Sequence, residues 1–537
     1  MSNRSFPRSQ RGPAPSAVDP INTGVRLHET GKYNEAFQCF EAILKKQPRH
    51  PLALWHLGRA LTRLKQPQQA IPFLEQAIAL RPRAPEPLYD LAWAFLGAEQ
   101  LEDAIAQFEA ALALKPAWVE AWSALGYAQG KLRRFAAAEK SLQHALALKP
   151  DHGETFNRLG IIMGAQGRGD EATEYFFQAI KLAPQSFQAW SNLAGNFKAQ
   201  NKMAEALVAY EHALAVDPKN STVKYNQAIA SLTLGDLRRD VWLRYEYRWV
   251  VLHKSPQRGF TQPLWRGESL EGKTILLHSE QGLGDTIQFV RYAAVLAAQG
   301  ATVHVEVQPP LKSLLADLPG AASVIAWGEP LPDFDFQCPL LSLPFACDTQ
   351  LDTIPAAVPY VRAPADRVAT WRERLGPPRG FRVGLVWRGN PKHSNDANRS
   401  MPFEIFQRLC AVDGCEFVSL QIKLNEQETA FFAEKPARVN QTELIEDFSD
   451  TAAVISQLDV VIAVDTSVAH LAGAMGKPVW LLLPYSPDWR WLLERADSPW
   501  YPGMRLFRQP AVGDWDSVVA NVAQHLVHEA GSAHLAA

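Results

Sequence analysis

The feature that most constrains this chain is a 34-residue period in its N-terminal half. Prolines recur at that interval, at Pro48, Pro82, Pro116, Pro150, Pro184 and Pro218. Alanines keep the same step, at Ala36, Ala70, Ala104, Ala138, Ala172 and Ala206. A third column is small, at Gly24, Gly58, Ala92, Gly126, Gly160 and Ala194, and a fourth is large, at Phe40, Leu74, Phe108, Leu142, Phe176 and Tyr210. Since a small residue lets a neighbouring helix approach and a large one fills the remaining gap, the period predicts stacked helix pairs.

Six units in register at this period, with these residue types, resemble the tetratricopeptide repeat. The resemblance implies an α-solenoid over residues 21–235 whose concave surface binds a peptide or another protein. A seventh unit starts near Thr222 and loses the pattern after Gly235. We interpret the aromatic segment 241–249 as a capping helix rather than a binding segment, because the last unit of a solenoid must seal its core. Residues 236–272 are therefore assigned to a capping helix and a linker.

Composition narrows the class of protein. The 537 residues are 47% hydrophobic and 20% charged, with a formal net charge of −2, which gives no electrostatic case for nucleic acid as a partner. The five cysteines form no CxxC pair, so neither a zinc site nor a disulfide framework is predicted. Residues 1–20 have no apolar core and are predicted to be a disordered tail, not a signal peptide. With no apolar run of about 20 residues, no membrane span is expected, and the chain is predicted to be cytoplasmic.

Beyond residue 272 strands alternate with helices, which is typical of an α/β fold. A buried strand, Thr274–Glu280, leads into the turn Gln281-Gly282-Leu-Gly284-Asp285 and a helical run, Ile287–Gln299. Further strands are predicted at 302–307, 323–327 and 334–340. By itself this turn is a weak motif, and Asp285 could serve only as a helix cap.

A second α/β half begins with the strand Arg382–Trp387 and continues into the loop 388–400, which is too polar and too rich in Gly, Asn and Pro for helix or strand. Lys392, Arg399 and Ser400 lie in this loop, just past the carboxyl end of a strand, where ligands bind in open α/β sheets. The two cations could neutralise a diphosphate; the alternative is a solvated loop with incidental charges. Strands at 416–422 and 459–464 follow, then a terminal helix at 517–529 and a tail at 531–537.

The strongest chemical signal is the turn after the strand that ends at Val464. Asp465, Thr466 and Ser467 precede a small-residue helix that contains His470, so hydroxyls and free N–H groups face the strand end, which suits a phosphate. His470 could contact phosphate or sugar, or satisfy a buried hydrogen bond. Further along, Arg490 is a candidate anion contact, whereas Trp489 and Trp491 are expected to fill an interface. The predicted fold class is thus α plus α/β: an N-terminal α-solenoid, then two Rossmann-like halves at 273–378 and 379–530.

The Gly282–Asp285 turn and the Asp465–Gly473 segment resemble those of GT-B glycosyltransferases, and are most similar to ADP-heptose lipopolysaccharide heptosyltransferases. The combination with repeats resembles protein O-GlcNAc transferase and bacterial repeat-bearing flagellin glycosyltransferases. The resemblance implies Asp285 as catalytic base and Asp465, Thr466, Ser467 and His470 as donor-binding residues, with Gln281, Gly282, Gly284 and Arg490 in support. One departure matters: the heptosyltransferases usually have Gly where this chain has Ser467, so the donor need not be ADP-heptose.

The resulting hypothesis is an inverting transferase that uses a nucleotide-sugar as donor substrate and requires neither a metal nor a further cofactor. Its acceptor is expected to be a protein hydroxyl, on flagellin or another bacterial protein, with that protein recruited by the repeat groove. A lipid-linked or polysaccharide acceptor, and a non-catalytic repeat scaffold with a degenerate transferase module, remain as alternatives. The nucleotide, the sugar, the acceptor residue and the oligomeric state are left open.

Overall fold

The computed structural model describes residues 19–252, 258–393 and 395–536. Residues 1–18 of the predicted tail, residues 253–257 of the predicted linker, Ser394 of the predicted loop and the final alanine lie outside the described residues. The chain divides into two compact units, one ending at Leu193 and one beginning at Ala194. Within the described ranges, no helix has the length and apolarity needed to cross a membrane.

The N-terminal part is an array of thirteen helices that follows the predicted period. Their bounds are α1 Pro20–Glu29, α2 Tyr33–Lys46, α3 Pro51–Arg63, α4 Pro67–Leu80, α5 Pro85–Gly97, α6 Leu101–Leu114, α7 Val119–Lys131, α8 Phe135–Leu148, α9 Gly153–Ala165, α10 Gly169–Leu182, α11 Phe187–Ala199, α12 Met203–Val216 and α13 Ser221–Thr233. The predicted solenoid of helix pairs is confirmed. Within the array, buried His56 stacks on the rings of Trp55 and Phe40.

The small and large columns of the repeat meet inside each helix pair. A Cβ atom added at Gly126 would lie 2.6 Å from Leu142 Cγ and 2.9 Å from the carbonyl oxygen of Ala138. At Gly160 the added atom would lie 2.6 Å from the ring of Phe176. These distances are shorter than side-chain contacts allow, so glycine sets how closely the two helices of these pairs approach.

Gly126→Ala is therefore expected to lower the free energy of unfolding by about 1–3 kcal/mol, because the added methyl group overlaps α8 backbone. Gly195→Ala is the matched control, since Gly195 is also in a helix but nothing lies within 4 Å of its added Cβ. Alanine's better helix propensity should make that variant more stable by about 0.5–1 kcal/mol. Thermal unfolding of both variants measures the contrast, and equal melting temperatures would contradict the packing argument.

Two short helices follow the array, α14 Arg239–Tyr245 and α15 Arg248–Val251. Trp242 and Tyr245 are buried and make edge contacts with Trp489, at centroid distances of 5.5 and 5.9 Å. Tyr245 also contacts the ring of Tyr225 on α13, at a centroid distance of 5.7 Å, so the aromatic segment packs on the last helix of the array, as its interpretation as a cap predicts.

The first sheet has four parallel strands, β1 Thr274–His278, β2 Thr302–Val307, β3 Ala321–Ala326 and β4 Phe336–Pro339, in the order β3-β2-β1-β4. Its helices are α16 Leu283–Phe289, α17 Tyr292–Ala298 and α18 Leu343–Ala346, with 3-10 turns at Pro309–Leu311 and Leu340–Ser342. The single helix predicted at 287–299 is two helices, and the first begins inside the predicted turn. The break lies at Val290 and Arg291, and the Arg291 side chain donates to the carbonyl oxygens of Gln288 and of Trp500, which is 209 residues away. The partner Trp500 has no signature in the local sequence.

The second sheet has six parallel strands, β5 Phe381–Val386, β6 Cys415–Ser419, β7 Arg438–Val439, β8 Val460–Val464, β9 Val479–Leu483 and β10 Met504–Arg508, in the order β10-β9-β8-β5-β6-β7. Around it lie α19 Ala365–Leu375, α20 Asp396–Arg399, α21 Phe403–Phe406, α22 Glu426–Ala433, α23 Phe448–Ser456, α24 Ser467–Ala474 and α25 Trp515–Ala536, and 3-10 turns at Gln407–Ala411, Thr442–Leu444 and Trp489–Trp491. Every residue of β8 and β9 is buried, as the continuous apolar runs predict.

Two local predictions in this half need correction. The polar loop 388–400 contains one helical turn, α20, because Asp396 in its first position and Arg399 in its last form an ion pair at 3.3 Å and complement the helix dipole. The terminal helix does not stop near residue 529 but continues to Ala536, through the predicted tail. Three of the seven residues from 530 to 536 are alanine, the strongest helix former.

Candidate functional site

The first component of the candidate site is the start of α16, directly after β1. Gly282 is the N-cap residue, and the Asp285 carboxylate accepts a hydrogen bond from the Gly282 N–H at 2.8 Å. Asp285 is thus a helix-capping residue, the structural role that the sequence left open. Its other carboxylate oxygen is directed away from this cap and has a separate partner.

The second component is the start of α24, directly after β8. Thr466 is the N-cap residue, but its side chain makes no capping hydrogen bond, and its buried hydroxyl oxygen has no partner among the described residues. A helix start leaves its first N–H groups without intrahelical acceptors, and these carry the positive end of the helix dipole. The predicted strand-turn-helix unit with Thr466 and Ser467 at the helix start is therefore present.

These two helix starts, which follow strands of different sheets, lie against each other. An added Cβ at Gly284 would be 2.8 Å from His470 Cδ2 and 3.4 Å from Ser467 Cα. A side chain at position 284 would push α16 and α24 apart, so glycine there is required by the approach of the two helices. The structure thus brings the Gly282–Asp285 turn and the Asp465–His470 turn together.

Arg490 connects this contact to a third element, the 3-10 turn Trp489–Trp491. Its guanidinium donates to Asp285 at 2.5 Å, to Asp488 at 2.9 Å and to the Gln288 amide oxygen at 2.7 Å. The side chain of Arg490 is only 8% exposed, and both carboxylates raise the pKa of its guanidinium against the opposing effect of burial. Arg490 was predicted to contact an anion, and the anionic groups that it contacts in this structure are the carboxylates of Asp285 and Asp488.

His470 is buried, and its Nδ1 atom is 2.9 Å from the hydroxyl oxygen of Tyr501. Burial, together with the positive charges of Arg490, Arg291 and Arg399, holds the pKa of His470 well below its usual value of 6.5. The imidazole is therefore neutral at physiological pH. Of the two roles left open for it, the buried hydrogen bond is the one the structure contains.

Asp465 is 16% exposed and lies 3.8 Å from His470 Nε2. Burial, with the negative charge of Asp488, raises the pKa of Asp465 from 3.8 to about 6, while Trp491, Arg490 and Arg399 act in the opposite direction. The carboxyl group therefore changes its protonation state close to neutral pH.

This elevated pKa makes the free energy of unfolding depend on pH. Because the folded state holds the proton more tightly than the unfolded state, the stabilisation is complete below about pH 4 and is lost as the pH rises through about 6. Between pH 5 and pH 7.5 the contribution of Asp465 should fall by about 1.4 kcal/mol. In urea unfolding measured at both pH values, the free energy of unfolding of Asp465→Asn should not show this fall. An identical pH dependence in wild type and variant would contradict it.

The loop 388–400 supplies the remaining predicted residues. The Ser400 hydroxyl oxygen accepts a hydrogen bond from the Gly389 N–H at 2.9 Å, so Ser400 holds the loop. Arg399 pairs with Asp396, and its charge reaches Asp465 and His470. Lys392, in contrast, is exposed, and its backbone N–H donates a hydrogen bond to the side-chain oxygen of Asn390 at 3.0 Å. The loop therefore brings Arg399, but not Lys392, into electrostatic contact with the α24 turn.

Gln281, one of the predicted supporting residues, contributes its carbonyl oxygen, which accepts from the Gln308 side chain at 3.0 Å. Two further residues of the site, Asp488 and His393, carry no signal in the sequence. Asp488 directly precedes Trp489, but its role depends on the 3-10 turn, which brings its carboxylate within hydrogen-bonding distance of the Arg490 guanidinium. His393 lies in the loop 388–400, where partial burial and the positive charge of Arg399 lower its pKa, against the opposing effect of Asp396, Asp285 and Asp488. Trp489 and Trp491 are buried, as expected for packing residues. Among the described residues, no three His, Cys, Asp or Glu side chains form a group that could hold a metal ion.

The class defined by this architecture is a repeat protein with an α/β unit of two parallel sheets. The family model that matches is the Cilia and flagella-associated protein 70 C-terminal domain, over residues 16–232. This match covers less than half of the chain and agrees with an N-terminal array of tetratricopeptide repeats.

Among curated proteins, the chain is similar to Protein FlbA of Caulobacter vibrioides, with 27% identity over 330 residues. The match covers 57% of this chain and 54% of that protein, so the chain spans about half the length of the relative. Solved structures with similarity include the APC/C hetero-tetramer Cut9-Hcn1, at 16% identity and a TM-score of 0.39, covering 44% of this chain and 46% of that chain. A tetratricopeptide repeat protein from Parabacteroides merdae matches at 18% identity and a TM-score of 0.36, covering 42% and 90%.

Proposed function

We propose that this chain is an inverting GT-B glycosyltransferase that transfers a sugar from a nucleotide-sugar to a hydroxyl group of a protein recruited by its repeats. The observation that carries the proposal is the contact between the Gly282–Asp285 turn and the Asp465–His470 turn. Each turn lies at the carboxyl end of a parallel strand, the region where open α/β sheets bind ligands. A carboxylate on one side and a helix start on the other are the two groups that glycosyl transfer needs.

In this proposal the donor phosphates bind at the start of α24 and near Arg399. Cleavage of the sugar–phosphate bond concentrates negative charge on the leaving phosphate. Backbone N–H groups and fixed cations stabilise such charge without reorganising, at a few kcal/mol for each donor. These groups take the part that a metal ion plays in other phosphate-transferring sites, so transfer is expected to proceed in the presence of EDTA.

Asp285 is proposed as the base that removes the proton from the acceptor hydroxyl. Its cap bond to Gly282 and its ion pair with Arg490 fix the orientation of the carboxylate. Because carboxylate oxygens have about four acceptor positions, two remain for an acceptor hydroxyl after these bonds are made. Attack from the side opposite the leaving phosphate inverts the anomeric carbon.

The repeat array is proposed to recruit the protein acceptor. A groove of about 720 Å³ lies between α6, α7 and α8, lined among others by Trp122, Gln129, Lys140 and His144. Trp122 and His144 contact each other with a centroid distance of 4.3 Å. Such a surface combines an aromatic anchor with polar groups and suits a peptide segment, and tetratricopeptide repeats generally bind protein partners.

The proposal can be tested with the full chain in two stages. A thermal-shift screen against UDP-, CMP-, ADP- and GDP-sugars should identify a donor that raises the melting temperature, because a ligand of the folded state stabilises by mass action. That donor, radiolabelled in the sugar, is then incubated with the chain and an extract of its source cells. Label in protein supports the proposal, and label in lipid or polysaccharide supports the alternative acceptor. Binding without transfer would leave a non-catalytic scaffold.

A further inference from the structure

The segment that contains Tyr485 and leads into the Arg490 turn contacts the loop between α11 and α12. The side-chain amide of Asn201 donates to the Tyr485 carbonyl oxygen, and the Tyr485 hydroxyl donates to the Gln200 carbonyl oxygen at 3.4 Å. Helix α13 also packs against the Trp489–Trp491 turn. These contacts lie within the second compact unit, which begins at Ala194 and so includes the end of α11, α12 and α13. The terminal repeat helices are therefore part of the unit that contains the candidate site.

Two side chains on these helices lie within electrostatic reach of the charged groups of the site. Tyr225 on α13 has its pKa raised by burial, and the charges of Asp488, Arg490 and Asp285 all act on its hydroxyl. Lys198 lies in the last turn of α11. Burial lowers the pKa of its ammonium group, while attraction to Asp488 opposes that effect. Both residues therefore extend the wall formed by Asp488 and Arg490.

Lys198 differs from the other cations of this wall in its pairing. Arg490 is bound by Asp285 and Asp488, and Arg399 is bound by Asp396. No carboxylate of the described residues forms an ion pair with Lys198, although the side chain is half-buried. A partly desolvated ammonium without a close counter-ion interacts strongly with an added anion, because the attraction is not already satisfied and is weakly screened.

We propose that Lys198 binds a phosphate group of the nucleotide donor, so that the terminal repeats supply one wall of the donor site. The inference rests on the proposed function. A diphosphate that enters beside Asp285, Asp465 and Asp488 adds negative charge to a region that already contains three carboxylates. Lys198 supplies the compensating charge and three N–H donors, without breaking an existing ion pair. The repeat array then contributes directly to donor binding as well as to acceptor recruitment.

The test is isothermal titration of the full chain with UDP, GDP, ADP and CMP, the nucleotides released by the four classes of donor. Lys198→Met, which keeps the apolar length of the side chain and removes the charge, should weaken binding of the preferred nucleotide by about tenfold or more. Lys219→Met is the matched control, because Lys219 is an exposed lysine in the same unit, before α13. It should bind like wild type. Lys198→Gln serves as a second variant if the methionine variant unfolds.

Unchanged affinity in the folded Lys198 variant overturns this inference alone, since the wild type has bound the nucleotide. An equal loss of nucleotide affinity in the Lys198 and Lys219 variants also overturns it, because the loss would then reflect the total positive charge of the unit and not a contact of Lys198. If the wild type binds none of the four nucleotides, the proposed function and the inference both fail.

Discussion

Asp285→Asn is expected to reduce sugar transfer by about 10²–10⁴-fold, the usual contribution of a positioned general base. Asparagine retains an oxygen that can cap α16 through the Gly282 N–H, so the fold and nucleotide binding should persist. What it lacks is a basic oxygen that can take the acceptor proton. The measurement is initial-rate transfer with the donor identified by thermal shift, alongside titration of the matching nucleoside diphosphate.

The matched control is Asp366→Asn, which makes the same change in the first turn of α19 at an exposed site. That variant should transfer at the wild-type rate. If Asp285→Asn is folded, binds nucleotide and turns over like wild type, Asp285 is not the base. The carboxylate would then be only a helix cap and a partner for Arg490.

Arg490→Met is expected to lower the free energy of unfolding by about 3–5 kcal/mol, because removing one member of a buried ion-paired group leaves uncompensated charge behind. Asp285 and Asp488 would both lose their cation, and the Gln288 amide oxygen would lose its donor. Transfer should fall as well, since the orientation of Asp285 depends on this pair. Urea unfolding followed by tryptophan fluorescence measures the stability loss.

Arg495→Met is the control, because Arg495 forms a similar two-pronged pair with Asp497 at 2.7 and 2.9 Å but lies much nearer to solvent. A surface pair of this kind contributes about 0–1 kcal/mol. The double variant Arg490→Met with Asp285→Asn should recover part of the lost stability, since one unpaired charge is then removed. Equal losses for the Arg490 and Arg495 variants, or no recovery, would contradict a buried network.

The repeat array could be predicted from sequence because each of its contacts is local and recurs. The small position and the large position of the repeat are sixteen residues apart in every unit, as Gly126 and Leu142 are. This pattern of small and large residues therefore specifies both the helix pair and its spacing. Strand β8 and the start of α24 could also be predicted from sequence, because a continuous apolar run followed by hydroxyl residues is typical of a buried strand and a helix start. In each case the information lies within one segment of chain.

The failures have the opposite character. The break between α16 and α17 is associated with Arg291 bonding to Trp500, which is 209 residues away. The turn α20 forms in a loop whose composition argues against helix, because Asp396 and Arg399 pair across it. In both cases the composition of the segment is outweighed by charged side chains that find partners.

The sequence by itself determined the helical repeats, the alternation of strands and helices, and the two turns that carry Asp285 and Asp465. Periodicity and turn chemistry are short-range properties, which is why they could be read without coordinates. Only the tertiary structure decided that Arg490 bonds to Asp285 across 205 residues and that His470 is buried and neutral. These results depend on burial and on distances between segments remote in the chain, and charge interactions change most steeply with those two quantities.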